Sequence, residues 1–149
     1  MTDKLIKAIA FDGEVRITAV DATSVVQEAQ KNHDTWSAST ATLGRTLIGT
    51  LLLGSDIKDD AKITIQIKGN GPAGKIVAVA DGEGRVKGYL QNPHVSLDPN
   101  AAGKIDVRGA VGTEGLFTVT KDLGLKEPFT GQVPIVSGAS RVVSIIVAK

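Results

Sequence analysis

Hydrophobic and polar residues alternate at the start of the chain, and this alternation predicts a β-hairpin. The first strand is expected from Leu5 to Phe11, and in the second strand Val15, Ile17 and Ala19 alternate with polar residues. Asp12-Gly13 lies between the strands, and this dipeptide tolerates the positive φ angles of a tight primed turn. The pattern therefore predicts two antiparallel strands joined by a short turn.

A helical spacing replaces the alternation after the hairpin. The segment from Ser24 to Gln27 fits a capping box, in which the Ser hydroxyl and the Gln amide satisfy backbone amides at the start of a helix. Hydrophobic residues between Val25 and Ala29 share one face of this helix, and the run ends near His33. A short first helix is therefore expected.

A second, longer helix is predicted from Ser37 or Ser39 to Leu53, with Gly54 as its C-terminal stop. Its hydrophobic positions recur at helical spacing: Leu43, Leu47, Ile48, Leu51 and Leu52. Its small residues would let a neighbouring element approach closely: Ala38, Ala41, Gly44 and Gly49. Arg45 lies among the apolar positions. We expect a buried, paired structural role for it rather than anion binding, because a buried charge must be paired.

The rest of the chain has the character of β-structure. Ile63, Ile65 and Ile67 alternate with polar residues, as in a half-buried strand. Further strands are predicted at Lys75–Ala80, Arg85–Leu90, Leu116–Lys121 and Val142–Ala148. Short turns join several neighbouring strands, which favours antiparallel pairing. The sequence thus predicts an α+β fold: a single domain with a mostly antiparallel β-sheet packed against the long helix.

Composition narrows the function. The chain has 149 residues, a formal charge of +1 and five aromatic residues, namely three Phe, one Trp and one Tyr. This gives no basic surface or stacking platform for nucleic acid, and no hydrophobic run is long enough to cross a membrane. The N-terminus has no signal-peptide pattern, so we expect a cytoplasmic protein. There is no cysteine, which excludes disulfides, thiolate metal sites and thiol nucleophiles within these residues.

One glycine-rich segment resembles a phosphate-binding loop. Gly69, Gly71 and Gly74 have the dinucleotide spacing, and Gly69 with Gly74-Lys75 gives most of a Walker pattern. Both patterns require a helix to follow, but the next residues form a β-branched run, and Ile76 stands where a Walker loop has its hydroxyl ligand for magnesium. We interpret the segment as a turn. A small nucleotide-binding domain or enzyme that uses this loop remains the alternative function.

Other candidate residues favour structural roles. His33 is expected near a helix end and His94 in a loop, without metal-ligand spacing. The acidic group Asp56, Asp59 and Asp60 resembles a solvated loop, Ser137 lacks a nucleophile motif, and Trp36 is expected to anchor the core. Asp106 and Asp122 have no His or Cys near them in sequence. We therefore predict no enzyme activity and no catalytic, cofactor-binding or metal site. The sequence does not identify a binding surface.

Several dense motifs resemble one protein family over most of the chain. They include the run Gly103–Gly115 with Thr118–Gly124, Thr35-Trp36, Leu43–Thr46, Gly71-Pro72 with Gly74, Gly84 with Val86 and Tyr89, Asn92-Pro93, Phe129–Gln132 and Ile135–Gly138. Their order and spacing are similar to those of the N-terminal core domain of the redox-regulated 33-kDa chaperonins, which are bacterial heat-shock holdases. The resemblance begins at Ile6 and ends near Gly138. It divides the chain into an incomplete chaperone core at residues 1–138 and a divergent tail at residues 139–149.

The resemblance implies a function that depends on surface rather than on catalysis. It implies ATP-independent binding of unfolding client proteins under oxidative and heat stress. In the family, a C-terminal module with four cysteines binds zinc and acts as a redox switch, and its cysteines have no counterpart here. An incomplete core would also leave apolar strands unpaired. We therefore expect a homodimer, in which Val142–Val147 is the segment predicted to pair or swap, with a closed monomer as the alternative.

Overall fold

The computed structural model describes residues 2–58 and 60–136. It contains the strands β1 (Lys4–Ala10), β2 (Val15–Asp21), β3 (Lys62–Gly69), β4 (Lys75–Asp81), β5 (Val86–Leu90), β6 (Gly115–Asp122) and β7 (Phe129–Pro134). The helices are α1 (Thr23–His33), α2 (Ser37–Gly54) and α3 (Val107–Val111). Ser137 and the predicted strand Val142–Ala148 lie outside the described residues.

The strands form two sheets. β1 and β2 form a hairpin of their own, and the other five strands form a sheet in the order β5-β4-β3-β6-β7. Each of the five strand pairings is antiparallel. Helix α2 packs on β3, β4 and β5, and it also contacts α1, α3 and β2. The predicted α+β fold, with a mostly antiparallel sheet against a long helix, is confirmed.

The core lies between α2 and one face of the five-stranded sheet. The alternation in β3 places Ile63 and Ile65 on this face, where both are fully buried. Ile65 belongs to the same core cluster as Leu43 and Leu47 of α2, as the helical spacing predicts. The opposite face of the central strands carries Thr and Gln side chains from β3 and β6, since alternate residues of a strand point to opposite sides.

The predicted burial of Arg45 is wrong, because α2 instead buries a row of threonines. Thr42, Thr46 and Thr50 are almost wholly buried, and each hydroxyl donates to the carbonyl four residues earlier, at 2.7–2.9 Å. This row turns the buried side of the helix away from Arg45, which is exposed. A pattern that counts threonine as polar does not identify this face.

The N-terminus of α1 is capped differently from the prediction. A capping box at Ser24 would satisfy the first amides locally. Instead, the two carboxylate oxygens of Asp3 accept hydrogen bonds from the backbone amides of Ser24 and Val25, at 2.9 and 2.8 Å. Hydrogen bonds from these amides, the one from Ser24 first, hold the pKa of Asp3 below its ordinary value. The cap therefore connects α1 to the residue that precedes β1.

Two predicted turns also differ in detail. The connection between β1 and β2 has four residues, from Phe11 to Glu14, and not a two-residue turn; Phe11, Asp12 and Gly13 all have positive φ. Gly54 belongs to α2 and does not stop it with a left-handed cap. A Cβ atom at Gly54 would lie 3.1 Å from the Ala80 Cβ, so the position requires a small residue for packing on β4.

Two elements have no counterpart in the predictions. Helix α3 is only five residues long, and the Asp106 carboxylate accepts a hydrogen bond from the Gly109 amide at its start, at 2.8 Å. Strand β7 pairs with β6 along its length, although Gly131 and Pro134 interrupt its sequence pattern. Both elements are too short or too irregular to produce a periodic signal.

Candidate interaction surface

The glycine-rich loop between β3 and β4 packs against α3 and the residues that follow it. The amides of Gly71 and Ala73 donate to the carbonyls of Val111 and Ala110, both at 2.9 Å, and the Asn70 amide donates to Glu114 O at 2.9 Å. These amides are the groups that a phosphate loop would turn toward its ligand. Lys75 follows directly as the first residue of β4. The interpretation of this segment as a turn agrees with its contacts.

The candidate chemical residues are not assembled into a site. His94 Nε2 lies 3.1 Å from Asp34 Oδ2, and its ring centroid lies 5.1 Å from that of Trp36. Trp36 is 52% exposed, so its predicted place in the core is wrong; its amide donates to Pro93 O at the start of α2. Asp106 caps α3, and Asp122 accepts from the Gly124 amide. Within residues 2–58 and 60–136, no group of three or more His, Cys, Asp or Glu residues is placed to hold a metal ion.

Ion pairs hold the β1–β2 hairpin against the C-terminal end of α2. Lys7 and Arg16 each lie 3.3 Å from Asp56, and the Lys7 ammonium also donates to the Ser55 carbonyl. Partial burial raises the pKa of Asp56, but the hydrogen bond from Lys7 and the two positive charges outweigh this effect and hold it below its ordinary value. One face of the hairpin is thereby fixed toward the body of the protein.

The opposite face of the hairpin is apolar except for the charged pair Lys4 and Asp21 at its end. In the register of the two strands, Ile6 lies opposite Ala19, Ala8 opposite Ile17, and Ala10 opposite Val15. Residues that are directly opposite in an antiparallel pair share one face, so these six side chains form a continuous strip, which we call the hairpin face. Ile6 is 60% exposed and Ile17 is 53% exposed.

A second exposed apolar region lies at β7. Phe129 and Val133 belong to the same side of the sheet as the buried Phe117, because their partners in β6 are Lys121 and Phe117. Phe117 is buried, whereas Phe129 is 68% exposed and Val133 is also exposed. Leu123 and Leu125, in the loop before β7, are exposed as well. The apolar side of the sheet therefore continues from the buried Phe117 in β6 to the exposed Phe129 and Val133 in β7.

These two surfaces can bind apolar chain segments, and sequence reasoning did not find them. Alternation in β2 predicts an apolar face, but it cannot show whether another element covers that face. Isolated exposed hydrophobic residues are normal, whereas a contiguous strip on a sheet face marks an interaction surface. The apolar strip can be recognised only when the register of β1 and β2 is known, because the register decides which side chains lie next to each other. No helix among the described residues is long and apolar enough to cross a membrane.

Comparison with known proteins finds close relatives. The Hsp33 protein family matches residues 3–145. The chain is 63% identical over 138 residues to the 33 kDa chaperonin of Enterococcus faecalis, and this match covers 93% of the chain and 46% of the relative. It is 57% identical over 139 residues to the 33 kDa chaperonin of Latilactobacillus sakei, which covers 93% of the chain and 48% of the relative.

A solved structure is similar too. The crystal structure of the 33 kDa chaperonin from Thermotoga maritima matches with a TM-score of 0.85 and 42% sequence identity. The match covers 90% of this chain and 46% of that chain. The chain thus spans less than half the length of the relatives that it matches.

Proposed function

The chain belongs to the Hsp33 family, and from this premise we propose that it acts as a molecular chaperone that holds unfolding proteins without ATP. The observation that carries the proposal is the hairpin face, a strip of six apolar side chains, of which Ala10 is half-buried and the other five are exposed to solvent. Unfolding proteins expose apolar segments, and burial of apolar surface drives association without any chemical step. The names of the curated relatives agree with a chaperone.

We propose that this chain is not an enzyme and that its partners are partly unfolded proteins in the cytoplasm. The support is chemical: the amides of Gly71 and Ala73, which a phosphate loop would use, donate to carbonyls of α3. His94 pairs with Asp34, and the Asp106 carboxylate caps α3. The formal charge of +1 offers no electrostatic reason for binding nucleic acid.

The zinc switch implied by the family resemblance does not fit the residues of this chain. Such a switch requires thiolate ligands, and the 149 residues contain no cysteine. Among the described residues, His, Asp and Glu do not form a group that could replace them. We propose that client binding by this chain is constitutive and independent of redox state.

The proposal is tested by suppression of aggregation. A thermally unfolding test enzyme is heated with and without the purified chain, and light scattering is followed in the absence of ATP. We expect less scattering with the wild-type chain, and a weaker effect with the double variant Ile6→Asp/Ile17→Asp. The matched control is Ile9→Asp, which changes an exposed isoleucine of β1 on the opposite face of the hairpin. Equal scattering with and without the wild-type chain would refute the proposal.

We also propose that the chain self-associates at working concentration. Exposed apolar strand surface attracts a second copy as readily as a client. Sedimentation velocity across a range of concentrations measures this directly, and the expected result is a reversible dimer. A monomer at every concentration would refute self-association. It would not bear on the chaperone proposal, which the light-scattering assay tests separately.

A further inference from the structure

We propose that Asn70-Gly71 is a site of spontaneous deamidation that the folded chain protects, so that the modification occurs only when α3 leaves the loop between β3 and β4. The proposal goes beyond client binding and does not rest on it. It rests on three observations: a single Asn-Gly dipeptide, a Gly71 amide that is already hydrogen-bonded, and an Asn70 side chain held by two further amides.

The reaction is an attack of the backbone on a neighbouring side chain. The backbone nitrogen of Gly71 loses its proton and forms a bond to the side-chain carbonyl carbon of Asn70. The side-chain nitrogen leaves with that proton as ammonia, and a five-membered succinimide remains. Water then opens the ring at either carbonyl. One opening gives aspartate, and the other gives isoaspartate, in which the backbone runs through the former side chain.

Asn70 is the one asparagine of the chain that is followed by glycine. The other three, Asn32, Asn92 and Asn100, precede His, Pro and Ala. Attack is fastest before glycine, because glycine has no Cβ to crowd the nitrogen and its backbone reaches conformations that other residues rarely adopt. Asn70 is also exposed, so water reaches the ring that forms there. The unfolded chain should therefore react first at this dipeptide.

In the folded chain the attacking nitrogen is occupied. The Gly71 amide donates to Val111 O at 2.9 Å, and the Ala73 amide donates to Ala110 O at the same distance. A Cβ atom at Gly71 would lie 2.4 Å from the Ala110 carbonyl oxygen, so the loop lies directly against the backbone of α3. The proton that must leave is thus held by α3, and the peptide unit has no room to turn.

The carbon that would be attacked is fixed as well. Asn70 Oδ1 accepts hydrogen bonds from the backbone amides of Thr113 and Glu114, at 3.0 and 3.3 Å. A Cβ atom at Gly112 would lie 2.0 Å from the same oxygen, so the side chain rests on the Gly112 backbone. An amide group held in this way is not free to turn its carbon onto the Gly71 nitrogen. The reaction rate should therefore follow the local opening of this contact.

The two products differ in how they fit the folded site. Aspartate keeps an oxygen in the place of Asn70 Oδ1, where it can accept from the same two amides. Isoaspartate adds one carbon to the backbone before Gly71, which shifts the Gly71 and Ala73 amides away from their carbonyls on α3. A chain opened by heat would then carry a change at this loop that refolding does not reverse.

The first test compares the folded and the unfolded chain. The 149-residue protein is incubated at mildly alkaline pH with and without guanidinium chloride. Peptides that contain each asparagine are then analysed by mass spectrometry, since deamidation raises the peptide mass. We expect the unfolded chain to react at Asn70 well before Asn32 and Asn100. The folded chain should react at Asn70 at least about tenfold more slowly than the unfolded chain.

A variant tests whether α3 controls the rate. The Asp106 carboxylate caps α3 by accepting from the Gly109 amide at 2.8 Å. Asp106→Ala should raise the rate of Asn70 deamidation in the folded chain about fivefold, the factor that corresponds to the loss of a typical helix cap. Asp98→Ala, which removes an exposed carboxylate in a loop, is the control and should react like the wild type.

Hydrogen exchange covers the case in which Asp106→Ala does not fold. Exchange of the Gly71 amide proton in the wild-type chain requires the same release from Val111 O that the attack requires. The exchange rate at Gly71 and the rate of Asn70 deamidation should therefore rise in parallel as the temperature is raised.

Melting temperatures measure the structural consequence. Deamidated chains are separated from unmodified protein by ion exchange after treatment in the unfolded state, and are then refolded. The control is Asn70→Asp, which has the same added charge and an ordinary backbone. We expect Asn70→Asp to melt close to the wild type and the isoaspartate-containing fraction to melt at a lower temperature.

Four outcomes would overturn the proposal. The first is an equal rate at Asn70 with and without guanidinium chloride. The second is a folded Asp106→Ala variant that reacts no faster than Asp98→Ala. The third is hydrogen exchange at Gly71 that accelerates with temperature while deamidation does not. The fourth is an isoaspartate-containing fraction that melts like Asn70→Asp, which would show that the modification leaves the loop intact.

Discussion

At Gly71 the loop between β3 and β4 runs against the backbone of α3. A Cβ atom there would lie 2.4 Å from the Ala110 carbonyl oxygen and 2.5 Å from the Gly112 amide nitrogen. Backbone atoms cannot move aside as a flexible side chain can. This close approach alone requires a glycine at position 71.

Substitution of Gly71 by Ala should therefore destabilise the protein. We expect a loss of about 1–3 kcal/mol, the usual cost of forcing extra volume into a packed site, measured by urea denaturation. The matched control is Gly131→Ala in β7, where the nearest atom to a new Cβ is a Phe129 ring carbon at 3.8 Å, an ordinary contact. Equal stability of the Gly71→Ala variant and the wild type would contradict this account of the loop.

The cap supplied by Asp3 predicts a pH-dependent contribution to stability. Because the folded protein lowers the pKa of Asp3 relative to its ordinary value of 3.8, the contribution is present above that value and is lost as the pH falls through the lower folded value. Asp3→Ala should lower the melting temperature at pH 7, and the difference from the wild type should shrink as the pH falls below 3.8.

Asp98→Ala is the control for this experiment, since Asp98 is an exposed carboxylate in a loop. The Asp98→Ala substitution should leave the melting temperature nearly unchanged both at pH 7 and below the ordinary Asp pKa of 3.8. A difference between Asp3→Ala and the wild type that stays constant as the pH falls would show that the carboxylate charge has no part in the cap.

At the scale of elements, α2 combines two kinds of buried side chain. Leucines contact the sheet, and the threonine row satisfies its own hydroxyls within the helix. A buried hydroxyl that is bonded to its own helix contributes little net stability, because the carbonyl it uses already accepts a backbone amide. The buried methyl groups, by contrast, fill space in the core.

Thr46→Val should therefore be tolerated, with a change in unfolding free energy within about 1 kcal/mol. Thr46→Ala should cost about 1–2 kcal/mol, because it removes the buried methyl group as well and leaves a cavity. Chemical denaturation of both variants measures the contrast. If Thr46→Val is as destabilising as Thr46→Ala, then the hydroxyl and not the methyl group holds the helix in place.

Elements with a regular pattern were predicted well from the sequence. The alternation around Ile63 and the loop between β4 and β5 identified their strands to within one or two residues. The missed elements have physical reasons: α3 has five residues, and β7 contains Gly131 and Pro134. The error at Ser24 arises because Asp3, which caps α1, lies 21 residues earlier in the chain, so a local pattern does not contain it. The error in the burial of Arg45 arises because a pattern that counts threonine as polar does not identify the buried threonine row.

At the scale of the whole molecule, the interaction surface could be predicted only in part. The sequence indicates that Val15, Ile17 and Ala19 form an apolar face. The family resemblance implies that the function depends on an interaction surface and not on catalytic residues. Neither indicates that the face is exposed, because exposure is a property of the complete arrangement of elements. Ile6 and Ile17 are exposed although they stand on an apolar strand face, and this exposure is the evidence for a binding surface.

The absence of cysteine makes a prediction for the whole chain. Hydrogen peroxide should leave its suppression of aggregation unchanged, since the chain has no thiol to oxidise and its single methionine is Met1. Purified protein should contain no stoichiometric zinc by elemental analysis. Bound zinc that is released by peroxide, together with a change in light scattering, would contradict the proposed constitutive activity.

The position of β3 has a consequence for how the molecule is made. β4 follows β3 directly, but the other partner of β3 is β6, with pairs from Lys62 and Asp122 to Gly69 and Gly115. During synthesis the β3–β4 hairpin can form as soon as Asp81 has left the ribosome. The other edge of β3 can pair with β6 only after Asp122 has also been synthesised. Non-local pairing is the slow step in folding. Closure of β3 on β6 should therefore limit the folding rate, and aggregation of the nascent chain should be greatest before it occurs.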